Sequence, residues 1–362
     1  MTRKQIDFLD AMEREFDSRQ DFVDYLQADA DLENRKENLN LVGTVSGHDR
    51  SSFIQSLEPS FDIFEESENL LLLWAPSERI SYYVTLDDME FPIFFTAANK
   101  TDQIPETVGK YLMEDPLMSR MWVGKREMER LREHMVGEHE SLIIPEFTAK
   151  RSKHSDVPAK KRPNYDRTIR YWADDGLEVF RHSKSRWGVL PTNIQYEVPN
   201  QFKCQVTQKG VFTSIKSGVK ELSDLIDMSV TRLRIIKNVI DTAEYEDEVS
   251  NGELDDTTFS YSKPWAIKLD ERPTRADIEH FEGNLKASDL QFRLLDFKSN
   301  KERHSFDAEL MDKKNYGRTD MRTKEDSIRI FPNGPSYIDE SIRIYNFVND
   351  HIDPNLEAIE VA

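Results

Sequence analysis

Between Arg167 and His351 the chain twice reads strand, helix, three short strands, helix. This doubled order constrains the fold more than any single residue does. The first pass opens with RTIRYWAD, a strand, and GLEVFRHSKSRWG, a short helix. NIQYEVP, FKCQVTQ and VFTSIKS follow as three strands parted by turn formers, and a long helix is expected from about Val219 to Ala243. Leu222, Leu225, Ile226, Leu233, Ile236 and Ile240 give that helix one apolar stripe. The second pass runs from TTFSYSKPWAIKLD through TRADIEHFEGNL, where Thr274 and Asp277 approach a capping box. It continues with LQFRLLDF, HSFDAELMD and SIRIFP and ends in a helix from Tyr337 to His351. Short alternating strands backed by amphipathic helices predict an α+β fold of antiparallel sheets.

The order resembles one half of the TATA-box-binding protein family, over roughly Thr168 to Asp353. The resemblance implies a curved sheet backed by helices, with phenylalanines that wedge into the minor groove of DNA. Phe212 and Phe306 fall in comparable regions, where core positions are the expected reading. A pair of ferredoxin-like units accounts for the same order, and neither fold brings a function with it.

Ahead of these passes, residues 1–37 read as an acidic helical segment with Ile6, Leu9, Phe16, Phe22, Val23 and Leu26 at roughly helical spacing. Packing on its own domain is the expected outcome, and a partner-binding arm is the alternative. Residues 38–148 read as an α+β domain containing LNLVGTVSG, SFDIFEE, NLLLLWA, ISYYVTLD and FPIFFTAA as strands. The layout continues with a basic connector at 149–167, a first repeat at 168–243, an acidic linker at 244–257 and a second repeat at 258–362.

Charge sharpens the question of function. The chain has 68 Asp and Glu against 49 Lys and Arg, a net charge of -19. Such a surface repels phosphate backbones on average and suits either a salt-adapted protein or an ordinary acidic mesophilic one. Within it, AKRSKHSDVPAKKRPNYDR (Ala149 to Arg167) holds seven basic and two acidic residues. Three readings of this segment stand open: a linker neutralised by the protein's own acidic surface, a nucleic-acid contact, or a nuclear-import address. In the second reading Lys150, Arg151, Lys153, Lys160, Lys161, Arg162, Arg167 and Arg170 neutralise phosphates. Tyr165, Tyr171 and Trp172 supply rings for bases to stack on. Pro158 and Pro163 argue for an extended loop in every case.

Motifs that name a reaction are missing from the sequence. GxGxxG, GxxxxGK[ST] and GxSxG do not occur, so nucleotide-cradling and α/β-hydrolase chemistry lose their usual supports. REHMVGEHE sets His134 and His139 five apart, about 140° around an ideal helix, which is wrong for two zinc ligands on one face. HSK at His182–Lys184 starts an HxKxxxxD pattern, but Val189 stands where Asp is needed. Asp87, Asp88 and Glu90, and Asp174 with Asp175, read as turn residues. SGHDR at Ser46–Arg50 reads as a turn or helix cap. Cys204 is the single cysteine, which excludes an internal disulfide and a multi-cysteine zinc site. No window approaches 18 apolar residues, and the start lacks an apolar signal-peptide core. A cytoplasmic protein without metal or cofactor is expected. The leading expectation is a non-enzymatic nucleic-acid-associated protein, in contact with DNA or RNA through the connector. A metal-dependent nuclease or hydrolase and a protein-interaction scaffold built on the acidic N-terminal helices are the alternatives.

Overall fold

Alternation along short strands builds the larger sheet. In a computed structural model, residues 7–28, 38–153, 155, 157–251, 256–287, 292–300, 302–313, 316–332, 338–352 and 356–361 are described. They form an α+β protein with antiparallel sheets backed by helices, and the chain divides into two units. The first comprises residues 1–150 and 168–231, the second 151–167 and 232–362.

The first unit contains helix α1 (Arg19–Ala28), strand β1 (Leu39–Ser46), helix α2 (Arg50–Leu57) and strands β2 (Asp62–Glu66), β3 (Leu70–Ala75), β4 (Ile80–Thr85) and β5 (Ile93–Thr96). Helices α3 (Gln103–Glu106) and α4 (Val108–Glu114), strand β6 (Met118–Arg120), helix α5 (Lys125–Glu138) and strand β7 (Ile143–Arg151) follow. After the connector come β8 (Arg167–Trp172), α6 (Gly176–Trp187), β9 (Leu190–Val198), β10 (Phe202–Thr207), β11 (Val211–Lys216) and the long α7 (Val219–Ile240), whose residues from 232 on belong to the second unit. The sheet order is β2-β3-β4-β5-β1-β11-β10-β9-β7-β8, with β6 on β1.

This order runs through the expected boundary between 38–148 and 168–243. Leu39–Val42 of β1 pair with Val211–Ser214 of β11, and β7 lies between β8 and β9. The strands of the first expected repeat therefore complete the N-terminal sheet rather than closing a sheet of their own. The N-terminal segment is helical over Arg19–Ala28, while residues 7–18 form turns and 1–6 and 29–37 lie outside the described residues. Its apolar side is buried on its own unit, with Phe22 against Tyr83 and Phe95 at 5.7 and 5.0 Å. In SGHDR, Asp49 is the N-cap of α2 and accepts from Ser52 N at 2.8 Å.

The second unit holds a hairpin, β12 (Glu244–Asn251) with β13 (Asp256–Lys263). The stretch expected as an acidic linker thus supplies a strand. Its partner DTTFSYSK is rich in strand formers. A second sheet comprises β14 (Trp265–Lys268), β15 (Phe292–Asn300), β16 (Ser305–Asp312), β17 (Arg318–Lys324), β18 (Ser327–Pro332) and β19 (Glu357–Glu360). Their order is β15-β16-β17-β18-β14-β19, with helices α8 (Arg275–Ala287) and α9 (Ile338–His351). Strands β17 and β19 are additions to the expected pattern, so the two stretches do not share one topology. Phe212 and Phe306 are core residues in their respective units, at 0% and 1% exposure. Among the described residues no helix is long and apolar enough to cross a membrane.

Candidate nucleic-acid interface

Strand register divides the side chains of the larger sheet into two kinds of row. One is apolar and crosses seven strands: Phe147, Ile194, Val206, Phe212, Leu41, Phe95 and Tyr83 are successive cross-strand partners. Phe147 meets Phe180 of α6 at 5.3 Å, and Phe95 and Tyr83 meet Phe22 of α1, so α1 and α6 cover this face. The adjacent row points the other way and is polar: Glu146, Gln195, Gln205, Thr213, Asn40 and Thr96. Its buried members bond one another and nearby backbone. Thr213 donates to Asn40 Oδ1 at 2.7 Å, Asn40 donates to Ala98 O at 2.8 Å, and Lys100 donates to Gln205 Oε1. Burial lowers the Lys100 ammonium pKa, while Glu146 opposes that shift. Over β1–β5 this second face carries α2 and α4, through Phe53, Phe61 and Tyr111 around Phe94.

Alternation then assigns the predicted residues on β7 and β8. On β7, Phe147, Ala149 and Arg151 are buried while Lys150 is exposed. On β8, the sheet's edge strand, Tyr171 stacks on Phe147 at 5.6 Å and donates to Asp175 Oδ1 at 2.5 Å. Donating to the Asp175 carboxylate holds the proton on the phenol and raises the Tyr171 pKa. Tyr171 therefore belongs to the helix-covered face, apart from Arg170 and Trp172. Thr168, Arg170 and Trp172 point the opposite way, and all three are exposed. Trp172 is 64% exposed. The fold thus brings Lys150, Arg170 and Trp172 to one face of two adjacent strands.

Within the second unit, the rest of the basic segment is a loop with an internal clamp. Arg151 is 5% exposed. Its guanidinium donates to Val157 O at 2.6 Å, Ser155 O at 3.0 Å and Pro163 O at 3.0 Å. Its donors face the loop's own carbonyls, so Arg151 organises the loop. Lys153 N donates to Asp166 Oδ1 at 2.7 Å and closes the loop's base. Lys153, Lys160, Lys161 and Arg162 are exposed, and Tyr165 is 62% exposed. Among the described residues, Lys160, Lys161 and Arg162 take part in no ion pair. Arg167, at the boundary of the loop and β8, is half-buried.

A separate cleft of about 640 Å3 in the first unit lies between α5 and α7. His134, Glu138, His139, Glu221, Asp224 and Asp227 line it. The helical-wheel argument that parts His134 from His139 fails locally because α5 ends at Glu138. His139 is its extended C-cap, at φ −128°, and turns back to the same cleft. Asp227 is paired with Arg19. No three His, Cys, Asp or Glu side chains among the described residues converge closely enough to hold a metal ion. Cys204 is fully buried on β10, and burial pushes its thiol pKa far up, which suits a packing residue.

A family model described as AF_0896_M, family middle domain, matches residues 126–209. That span runs from the first turn of α5 through β10 and contains both the clamped loop and the β7–β8 face. The chain is also 23% identical over 354 residues to a protein of Archaeoglobus fulgidus described as uncharacterized, covering 94% of this chain and 95% of that one. No solved structure matches the chain.

Proposed function

We propose that this protein binds nucleic acid without acting on it chemically, and that the loop from Ser152 to Asp166 makes the electrostatic contact. One observation carries the reading: the Arg151 clamp holds a loop on which Lys160, Lys161 and Arg162 stand exposed, with no ion-pair partner among the described residues. Each ordered cation that meets a phosphate releases a counterion, which gives affinity with a measurable salt slope. The net charge of -19 opposes long-range attraction, so the contact is local. We read the acid excess as salt adaptation and place the protein in the cytoplasm.

The test is a titration of the full chain with single- and double-stranded DNA and RNA at several salt concentrations, beside a variant with Lys160, Lys161 and Arg162 all changed to Glu. Binding that weakens with salt and is lost in the variant is expected. Failure to bind any of the four at low salt overturns the reading. One competitor is a metal-dependent hydrolase acting through the carboxylates that line the α5–α7 cleft, although among the described residues they do not converge into a metal site. Cleavage of the same nucleic acids on adding magnesium or manganese, abolished by Glu221→Gln, would decide for that competitor.

A further inference from the structure

We infer that the nucleic acid is recognised single-stranded, by an unpaired base lying on the Trp172 indole; this rests on the binding reading above. The observations are independent of the loop. Trp172 ends the edge strand β8 and is 64% exposed. Among the described residues no other ring lies against it. A single exposed ring is ordinary, so its neighbours decide what it can do. The neighbouring groups on the same face indicate the chemistry of that partner. Arg170 stands two residues earlier, roughly 7 Å along the strand, and Lys150 stands on the adjacent β7. Both are exposed, and neither has an ion-pair partner among the described residues. Glu146 of β7 shares this face, so Arg170 is the cation that bears on the ring: an exposed guanidinium two residues from a flat indole fits a base with an adjoining phosphate.

Duplex geometry selects the strand state. In a double helix each base face is already stacked on its neighbours, so an indole gains a base only after an unstacking cost. An unpaired base pays little of that cost. The acidic character of the chain points the same way. In roughly molar salt the Debye length falls to about 3 Å, and phosphate contacts lose most of their contribution. Stacking survives such screening, because it depends on contact between ring faces rather than on a long-range field.

The experiment uses the full chain, fluorescein-labelled oligo(dT) and oligo(rU) of about 12 nucleotides, and a mixed-sequence duplex of the same length. Wild type, Trp172→Ala and Trp172→Phe are compared by anisotropy at low and high salt. Trp172→Ala is expected to weaken single-strand binding roughly 5- to 100-fold, with duplex affinity and the salt slope unchanged. Trp172→Phe should retain part of the affinity. Part of the wild-type tryptophan fluorescence should be quenched by oligo(dT), and that part should disappear in Trp172→Phe. Equal losses for single strand and duplex, or no loss for either, overturn this inference while the loop charge reversal still reports on the binding reading. Absence of binding by every form overturns both. Trp172 is exposed, so an unchanged thermal midpoint in each variant separates these outcomes from misfolding.

Discussion

Arg151 reaches twelve residues ahead and donates its Nε proton to the carbonyl oxygen of Pro163 at 3.0 Å, closing a loop that its other nitrogens fill. The residue on its N-terminal side, Lys150, is exposed on the opposite face of the same strand. One strand thus puts one cation to work holding backbone and leaves the next for solvent or a ligand.

The clamp makes a prediction about loop opening. Arg151→Ala leaves the carbonyls of Ser155, Val157 and Pro163 without their charged donor, and a hydrogen bond to a charged group is worth about 1.5–3 kcal/mol. The bonds share one side chain, so a total of about 3 kcal/mol is expected rather than their sum. Trypsin cleavage after Lys160 and Lys161 should then accelerate at least tenfold, because proteolysis follows the population of the open loop. Cleavage at the wild-type rate would show that the loop holds its shape without Arg151.

A second prediction concerns pH and the second unit. Glu340, in the first turn of α9, is buried, and burial raises its carboxyl pKa to about 7. Thr319 donates to it and opposes the shift, Asp312 and Asp339 add to it, and Arg343 opposes it. Arg343 is itself shared between Asp312 at 2.5 Å and Asp339 at 2.9 Å. The folded state therefore binds the Glu340 proton more tightly than the unfolded chain, whose carboxyl has the ordinary value of 4.5. The group favours the fold fully below that value. Its contribution is lost as pH rises from there to about 7, and is flat above. Glu340→Gln should raise the thermal midpoint at pH 8 and leave it nearly unchanged at pH 4. The gain at pH 8 is on the order of 3 kcal/mol as an upper limit. Equal shifts at both pH values would assign the effect to packing instead of titration.

Much of this architecture is legible in the sequence, and what is not has physical causes. Strands declare themselves by alternation, and FTAKR and RTIRYW carry the signal that separates Lys150 from Arg151 and Tyr171 from Trp172. Reading the strand only as far as the connector hides it. The pairing of Leu41 with Phe212 leaves no local mark, because residues so far apart in the chain meet only through the whole fold. The polar row is similarly hidden: Asn40, Gln205 and Thr213 sit in apolar strands, and only the register shows that they adjoin one another. His139 is misplaced by an ideal helix because the turn that ends α5 is decided by its surroundings.

The β10–β11 turn gives a third prediction. Gly210 adopts φ +69°, and a Cβ there would stand 2.1 Å from the Met121 carbonyl oxygen. Its own carbonyl accepts from Gly43 N at 2.9 Å, so the turn has no free direction in which to retreat. Gly210→Ala combines left-handed backbone strain with a backbone clash and should destabilise by more than about 2 kcal/mol. Gly137, inside α5, would place a Cβ in open space. Gly137→Ala should stabilise by roughly 0.5–1 kcal/mol. Denaturant unfolding of the pair checks both signs, and a tolerated Gly210→Ala would show that β6 can shift away from the turn.

The last prediction uses adjacent residues on opposite faces of the edge strand. Tyr171 and Trp172 are both aromatic and both follow Arg170, so a reading from composition gives them one role. The structure separates them. Tyr171 lies over Phe147 with its hydroxyl committed to Asp175, and Trp172 faces solvent. Tyr171→Phe keeps the ring and loses only the Asp175 bond. It should lower the thermal midpoint slightly, remove the phenol that titrates above its ordinary range, and leave affinity for oligo(dT) unchanged. Trp172→Ala should do the reverse, weakening the single-strand complex at an unchanged midpoint. Measuring both variants by anisotropy and thermal unfolding places the contact on one face of β8. A loss of affinity in Tyr171→Phe equal to that in Trp172→Ala would mean that the strand contributes through its conformation, and that the exposed indole is not the platform.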